Sequence, residues 1–160
     1  MKKDIIEELF TKYYNDAMLY TLSLTKNRML AEEIVANSYF KAIKSIDYKI
    51  NNFKPWLIKV CRNEYLLHLR KDKKLTELDD KLRGEGQEIV DKIIKNEEYR
   101  ALYHAISLLN TSQKEVLTLF YFEDMSIQDI ASITGKNQNV VKVTLFRARE
   151  NLKKILKQTI

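Results

Sequence analysis

The sequence predicts an all-α chain: two small helical bundles joined by a polar linker, the C-terminal bundle containing a helix-turn-helix. Three observations carry that prediction. Glycine occurs three times and proline once in 160 residues, so the tight-turn signals that join strands into hairpins are missing. Apolar residues recur at three- and four-residue spacing through long segments, as amphipathic helices require. Short polar residues also stand at candidate helix starts, at Ser112, Ser126 and Asn137, where side-chain oxygens can accept hydrogen bonds from exposed amides.

The first helix extends from Lys3 to about Leu24, with Ile5, Ile6, Leu9, Phe10, Tyr13, Ala17, Tyr20 and Leu24 on its apolar face. Asn27 punctuates it. The second runs from Met29 to Ser45. Leu30, Ile34, Val35, Ser38, Tyr39, Ala42 and Ile46 face inward, and Glu32, Glu33, Asn37, Lys41 and Lys44 face outward. A loop from Asp47 to Asn52 is rich in turn formers. The third helix opens at Phe53-Lys54-Pro55-Trp56, where proline suits a first turn whose amides have no helical acceptor. Leu57, Ile58, Val60, Cys61, Tyr65, Leu66 and Leu69 continue it to the basic cluster beginning at Arg70. Trp56 reads as core or as a nucleic-acid stacking group, its apolar neighbours favouring core, and Cys61 reads as a small buried hydrophobe. Residues 1–70 thus form the first domain.

Between residues 71 and 95 the apolar pattern thins and seven basic residues balance seven acidic ones. This is the linker. The apolar pattern resumes with Ile93 and Ile94, and the second domain, residues 96–160, continues it with Tyr99, Leu102, Ala105, Ile106 and Leu109. Ser112 and Glu115 form a capping box ahead of the apolar run Val116, Leu117, Leu119, Phe120, Tyr121 and Phe122. Ser126 and Asp129 form another, opening a short helix with Ile127, Ile130, Ala131 and Ile133 on one face. Gly135 ends that helix, because glycine is free to take the left-handed conformation of a helix exit. Asn137 caps the next, in which Val140, Val141, Thr144, Leu145 and Ala148 face inward. Gln138, Asn139, Lys142, Val143 and Phe146 fall on its other sides. Helix, glycine turn and second helix follow at helix-turn-helix spacing.

Charge supports a nucleic-acid function for this segment. From Lys136 onward seven basic residues oppose the single acid Glu150, a net +6 that equals the formal charge of the whole chain. The stretch from Glu97 to Asp129 holds six acids and two bases, a net −4. A basic run alone reads as a solvated helix face. With the turn and both caps in register, it reads as a phosphate-binding surface.

Other classes of function find little support in the residues. One cysteine excludes an internal disulfide, and two distant histidines offer no metal cage. No paired carboxylates, no nucleophile beside a base and no phosphate-cradling glycine loop suggest an enzyme, a cofactor or a small-molecule substrate. The opening MKKDIIEELF carries acids where a signal peptide needs an apolar core. No apolar run approaches membrane-spanning length, so the expectation is a cytoplasmic protein without membrane insertion.

The run LLNTSQKEVLTLFYFEDMSIQDIASITGKNQNVVKVTLFRARENLKKIL resembles the fourth region of bacterial sigma factors, whose helix-turn-helix docks on the −35 promoter element. AEEIVANSYFKAIKSI with FKPWLIKVCRNEYLLHLRK resembles the second region, which binds the polymerase clamp and opens the −10 element. Together they cover nearly all of the chain, and the order of two regions without others is similar to the extracytoplasmic-function (ECF) subfamily. The resemblance implies contacts to the −35 element from Gln138, Asn139, Lys142, Thr144, Arg147 and Arg149. It implies contacts to the −10 strand from Tyr48, Asn51, Asn52, Trp56, Arg62, Asn63 and Arg70. Glu32, Glu33, Asn37 and Lys41 would meet core polymerase.

The match departs from the family pattern at several positions: Glu33 replaces a common aspartate, Ala36 a glutamine, Leu67 an aspartate, Asn137 a serine and Thr144 an arginine. The partners implied are core RNA polymerase, promoter DNA and an anti-sigma protein. Two alternatives stay open. One is a conventional helix-turn-helix regulator whose N-terminal bundle is a dimerisation or ligand module; the other is a sigma-like protein that has lost polymerase binding.

Overall fold

The structure, a computed structural model, describes residues 2–45, 50–71 and 86–159. All regular elements among these residues are helical. The chain divides into two compact units, Met1–Ile89 and Val90–Ile160.

In the first unit α1 (Lys2–Thr25), α2 (Arg28–Lys44) and α3 (Phe53–Lys71) pack against one another. A 3-10 turn at Ile50–Asn52 leads into α3. Lys26 takes the left-handed conformation (φ 53°) where α1 ends, and its amide bonds Leu22 O at 2.8 Å. Asn27 then caps α2 by accepting from Leu30 N at 3.1 Å. The core combines Ile6, Ala17, Met18, Leu19, Tyr20 and Leu22 with Leu30, Ala31, Ile34, Val35, Ala42, Phe53, Leu57, Ile58 and Cys61. Cys61 is buried as expected, with its Sγ 3.3 Å from Ser38 Oγ. Ile5 is exposed and Tyr39 only half-buried, so α1 buries its middle turns more completely than its first, and the aromatic ring of α2 lies at the rim.

Residues Ala17 to Leu22 are buried on every side, a pattern that no single apolar stripe predicts. At the end of this stretch a third neighbour joins α2 and α3. Gly86 lies so close to α1 that a Cβ there would stand 2.5 Å from Leu22 Cδ2. The next residues form a short helix, α4 (Gln87–Ile93), in a stretch that the apolar pattern alone reads as linker. Val90 is buried within it.

The second unit holds α5 (Glu97–Ser107), α6 (Thr111–Leu117), α7 (Ile127–Thr134) and α8 (Gln138–Thr159). Helix α8 runs past α5, α6 and α7. Its core joins Tyr103, Ala105, Ile106, Val116, Leu117, Leu119, Met125, Ile130 and Ile133 to Val141, Leu145, Ala148 and Leu152. The cap of α6 is Asn110, whose side chain accepts from Gln113 N at 2.9 Å, rather than Ser112. Starting the helix at Thr111 moves Ser112 into its first turn, where its hydroxyl accepts from Lys136 Nζ and Glu115 is buried. A π-helical turn at Thr118–Phe122 follows, closed by Glu123 N on Thr118 O at 3.1 Å. The wider turn shifts the register, leaving Tyr121 exposed while Leu119 stays in the core.

Candidate nucleic-acid interface

The turn between α7 and α8 is built as its sequence dictates. Asp129 N donates to Ser126 Oγ at 3.0 Å, and Ser126 N donates to Asp129 Oδ2 at 3.4 Å, completing the capping box. Gly135 adopts φ 75° and donates its amide to Ala131 O at 2.9 Å, ending α7. Asn137 Oδ1 accepts from Val140 N at 2.8 Å and starts α8. Ile130 and Ile133 of α7 and Val141, Leu145 and Ala148 of α8 are buried, which fixes the orientation of the second helix.

With that seam inside, Gln138, Asn139, Lys142 and Arg147 are all exposed on α8. Thr144 is half-buried, and its Oγ1 donates to Val140 O at 2.8 Å. Val140, expected inside, is 43% exposed. Three residues before Val143 and one before Val141, it lies at the edge of the seam, where the narrow α7–α8 contact does not reach. Arg149 is exposed but engaged: its Nε donates to Tyr121 OH at 3.1 Å, and its guanidinium lies 5.1 Å from the Phe120 ring centre. Tyr121 owes its position to the π-helical turn, which apolar periodicity does not signal.

In the first unit, Asn51 and Asn52 are exposed in the turn before α3. Tyr48 lies outside the described residues. Phe53 is buried, with its ring 5.8 Å from that of Trp56 and 6.2 Å from that of Tyr13. Trp56 is half-buried beside Phe53. Trp56, Asn63 and Arg70 follow at seven-residue spacing, and so share one face of α3, turned about 100° from buried Leu57 and Glu64. Arg62 is half-buried on a flank. Lys59, exposed between Trp56 and Asn63 on the outward face, was not among the sequence candidates. Its three-residue offset from Trp56 is the signal that marks it.

The start of α3 is tied to α1 by Lys54 Nζ, 3.9 Å from Asp16 Oδ1. Burial pushes the Asp16 carboxyl above its usual range, and Lys54 offsets part of that rise. On α2, Glu33 and Asn37 share one side with Lys41, whose Nζ donates to the buried Glu64 of α3. Glu32 stands on the opposite flank and accepts from Arg28 Nε at 2.9 Å; Arg28 also pairs with Glu88. Between these flanks Met29 is 77% and Phe40 63% exposed, a pair of apolar groups that the polar reading of this helix did not include. The structure thus splits the four α2 candidates between two sides of one apolar strip.

Among the described residues no group of three or more histidine, cysteine, aspartate or glutamate side chains is placed to hold a metal ion. No helix among them is long and apolar enough to cross a membrane.

Residues 9–75 match the family model for sigma-70 region 2, and residues 99–152 match the model for sigma-70 region 4. ECF RNA polymerase sigma factor SigM of Bacillus subtilis (strain 168) is 32% identical over 151 residues, covering 92% of this chain and 93% of that protein. The chain belongs to the ECF sigma factors. RNA polymerase sigma factor SigV of the same organism is 33% identical over 150 residues, covering 91% of this sigma factor and 87% of SigV. The fold is similar to that of the sigma factor RpoE in its co-crystal structure with the anti-sigma factor NepR from Bartonella quintana. That match has a TM-score of 0.68 and 23% identity over 94% of this chain and 96% of RpoE. A conventional helix-turn-helix regulator does not account for the region 2 match across α1, α2 and α3.

Proposed function

We propose that this promoter-specificity subunit of RNA polymerase grips DNA at two places, one per unit, while the outward face of α2 holds the polymerase. The observation that carries this reading is the pairing of two outward faces in one chain. In the second unit, α8 presents Gln138, Asn139, Lys142 and Arg147 beyond a capped turn. In the first, α3 presents Trp56, Lys59, Asn63 and Arg70 behind Asn51 and Asn52.

The chemistry of the two faces differs in a useful way. Amide and ammonium groups on a helix in the major groove read base edges of closed duplex, and Arg147 and Arg149 hold phosphates and fix register. An aromatic group beside amides suits an opened strand, since each unstacked base offers a π face at a gain of about 1–3 kcal/mol. Asn51 and Asn52, exposed before α3, would capture a flipped base, a role the family resemblance extends to Tyr48. On this reading the protein acts in the cytoplasm by binding and strand opening rather than by catalysis. A protein that covers either face would silence it, as an anti-sigma factor does.

The opening half is tested with 2-aminopurine placed in the −10 element, whose fluorescence rises when the base unstacks. Core polymerase plus the full chain produces the rise, and Trp56→Ala reduces it while leaving polymerase binding by size-exclusion chromatography intact. A full rise with Trp56→Ala would remove α3 from the opening step.

A further inference from the structure

The outward surface of α8 is not uniformly polar. Val140 and Val143 are 43% and 48% exposed, although β-branched apolar residues on a solvated helix gain nothing from that position. At 3.6 residues per turn, Val140, Val143, Thr144 and Arg147 occupy one face at offsets of three, four and seven residues. Val143 is two residues from both buried Val141 and buried Leu145, so it points almost directly away from the core. The Thr144 hydroxyl is spent on Val140 O at 2.8 Å, which satisfies its only donor within the helix. The face is thus a strip of β-branched side chains with a guanidinium at its C-terminal end. Gln138, Lys142 and Arg149 lie on a different side.

We propose that this strip reads thymine in the −35 element through its C5-methyl group, with Val143 as the specificity-determining contact and Val140 supporting it. The inference rests on the assignment of α8 to the −35 major groove. Charge selects duplex DNA as the occupant: Lys136, Lys142, Arg147, Arg149, Lys153 and Lys154 belong to the same turn and helix, against the single acid Glu150. A neutral or basic protein partner gains nothing from so one-sided a field, whereas phosphates flank every thymine methyl in a major groove. The methyl group is the one apolar feature by which the major groove distinguishes a base, and apolar side chains are its complement. Arg147, at the end of the strip, then holds the adjacent phosphate and sets how deeply Val143 enters.

The test uses the full chain bound to core polymerase and a pool of duplex promoters randomised in the −35 element. Wild-type holoenzyme selects thymine at one or more fixed positions. Replacing that thymine by uracil, which removes only the methyl group, weakens binding about fourfold, the effect of burying one carbon fewer. With Val143→Ser or Val143→Ala, thymine and uracil templates bind alike, and because Val143 is outside the core both variants fold. Selection of a −35 sequence with no difference between thymine and uracil overturns the methyl contact and leaves the −35 assignment standing. An unchanged thymine-to-uracil ratio in both Val143 variants likewise overturns it, because the methyl group is then read by a residue other than Val143. Failure to select any −35 sequence overturns the assignment of α8 to that element, and the methyl contact with it.

Discussion

Gly135 holds φ at 75° between α7 and α8, and a Cβ added there would meet nothing within 4 Å. Any cost of substituting it is therefore backbone strain, uncomplicated by packing. Gly135→Ala should lower unfolding free energy by about 1–2 kcal/mol, read as a lower urea midpoint at unchanged slope; an unaltered midpoint would mean that the turn relaxes. A second effect at this scale concerns pH. Burial raises the Asp16 carboxyl above its ordinary 3.8 in the folded state, with Lys54 opposing the rise. The folded state then holds that proton more tightly than the unfolded state. This contribution favours folding at low pH and is lost as pH rises from 3.8 through the raised folded value. Asp16→Asn should flatten that part of the stability–pH curve, measured by urea unfolding at stepped pH, and an identical slope in the variant would assign the dependence to other groups.

At the scale of elements, α8 combines features that sequence reveals with others that it hides. Its start was legible because Asn137 and Gly135 have local signatures, and its buried seam because Val141, Leu145 and Ala148 keep helical period. Val140 was assigned inward because period alone does not say how wide a neighbour is. The π-helical turn at Thr118–Phe122 was hidden because the four consecutive apolar or aromatic residues from Leu119 to Phe122 read the same in either winding. It is this turn that brings Tyr121 beneath Arg149. Helix α4 was hidden for another reason: it is only seven residues long with three charged side chains among them, and what marks its surroundings is the approach of Gly86 to Leu22, a contact distant in sequence. Thr144 gives a direct test of the register of α8. Thr144→Arg adds one cation on the strip that ends in Arg147, so the slope of log affinity against log salt for −35 duplex should steepen by about 0.9. An unchanged slope would place residue 144 away from the phosphates.

For the whole molecule, the question is how one chain engages two elements spaced along DNA. A coil of about 25 residues, the length read as linker, spans roughly 25–30 Å on average. Two turns of duplex occupy about 70 Å. Full extension reaches roughly 85 Å, but Gly86 packs on Leu22 and Glu88 pairs with Arg28 within the first unit, and α4 winds residues 87–93 into a helix that rises only about 1.5 Å per residue, so much less of the stretch is free to extend. Simultaneous engagement therefore depends on a partner that holds the two units apart. The free chain should bind a complete promoter little better than an isolated −35 duplex, and holoenzyme many-fold more tightly. Equal affinity of free chain and holoenzyme in fluorescence anisotropy would remove polymerase from that role. The central claim, that this chain directs core polymerase to promoters by reading both elements, is tested most directly by run-off transcription with core enzyme on templates selected by the holoenzyme. The expected result is a transcript of defined length that requires the chain and is lost when either element is scrambled. No promoter-specific transcript, or one indifferent to both elements, would contradict it.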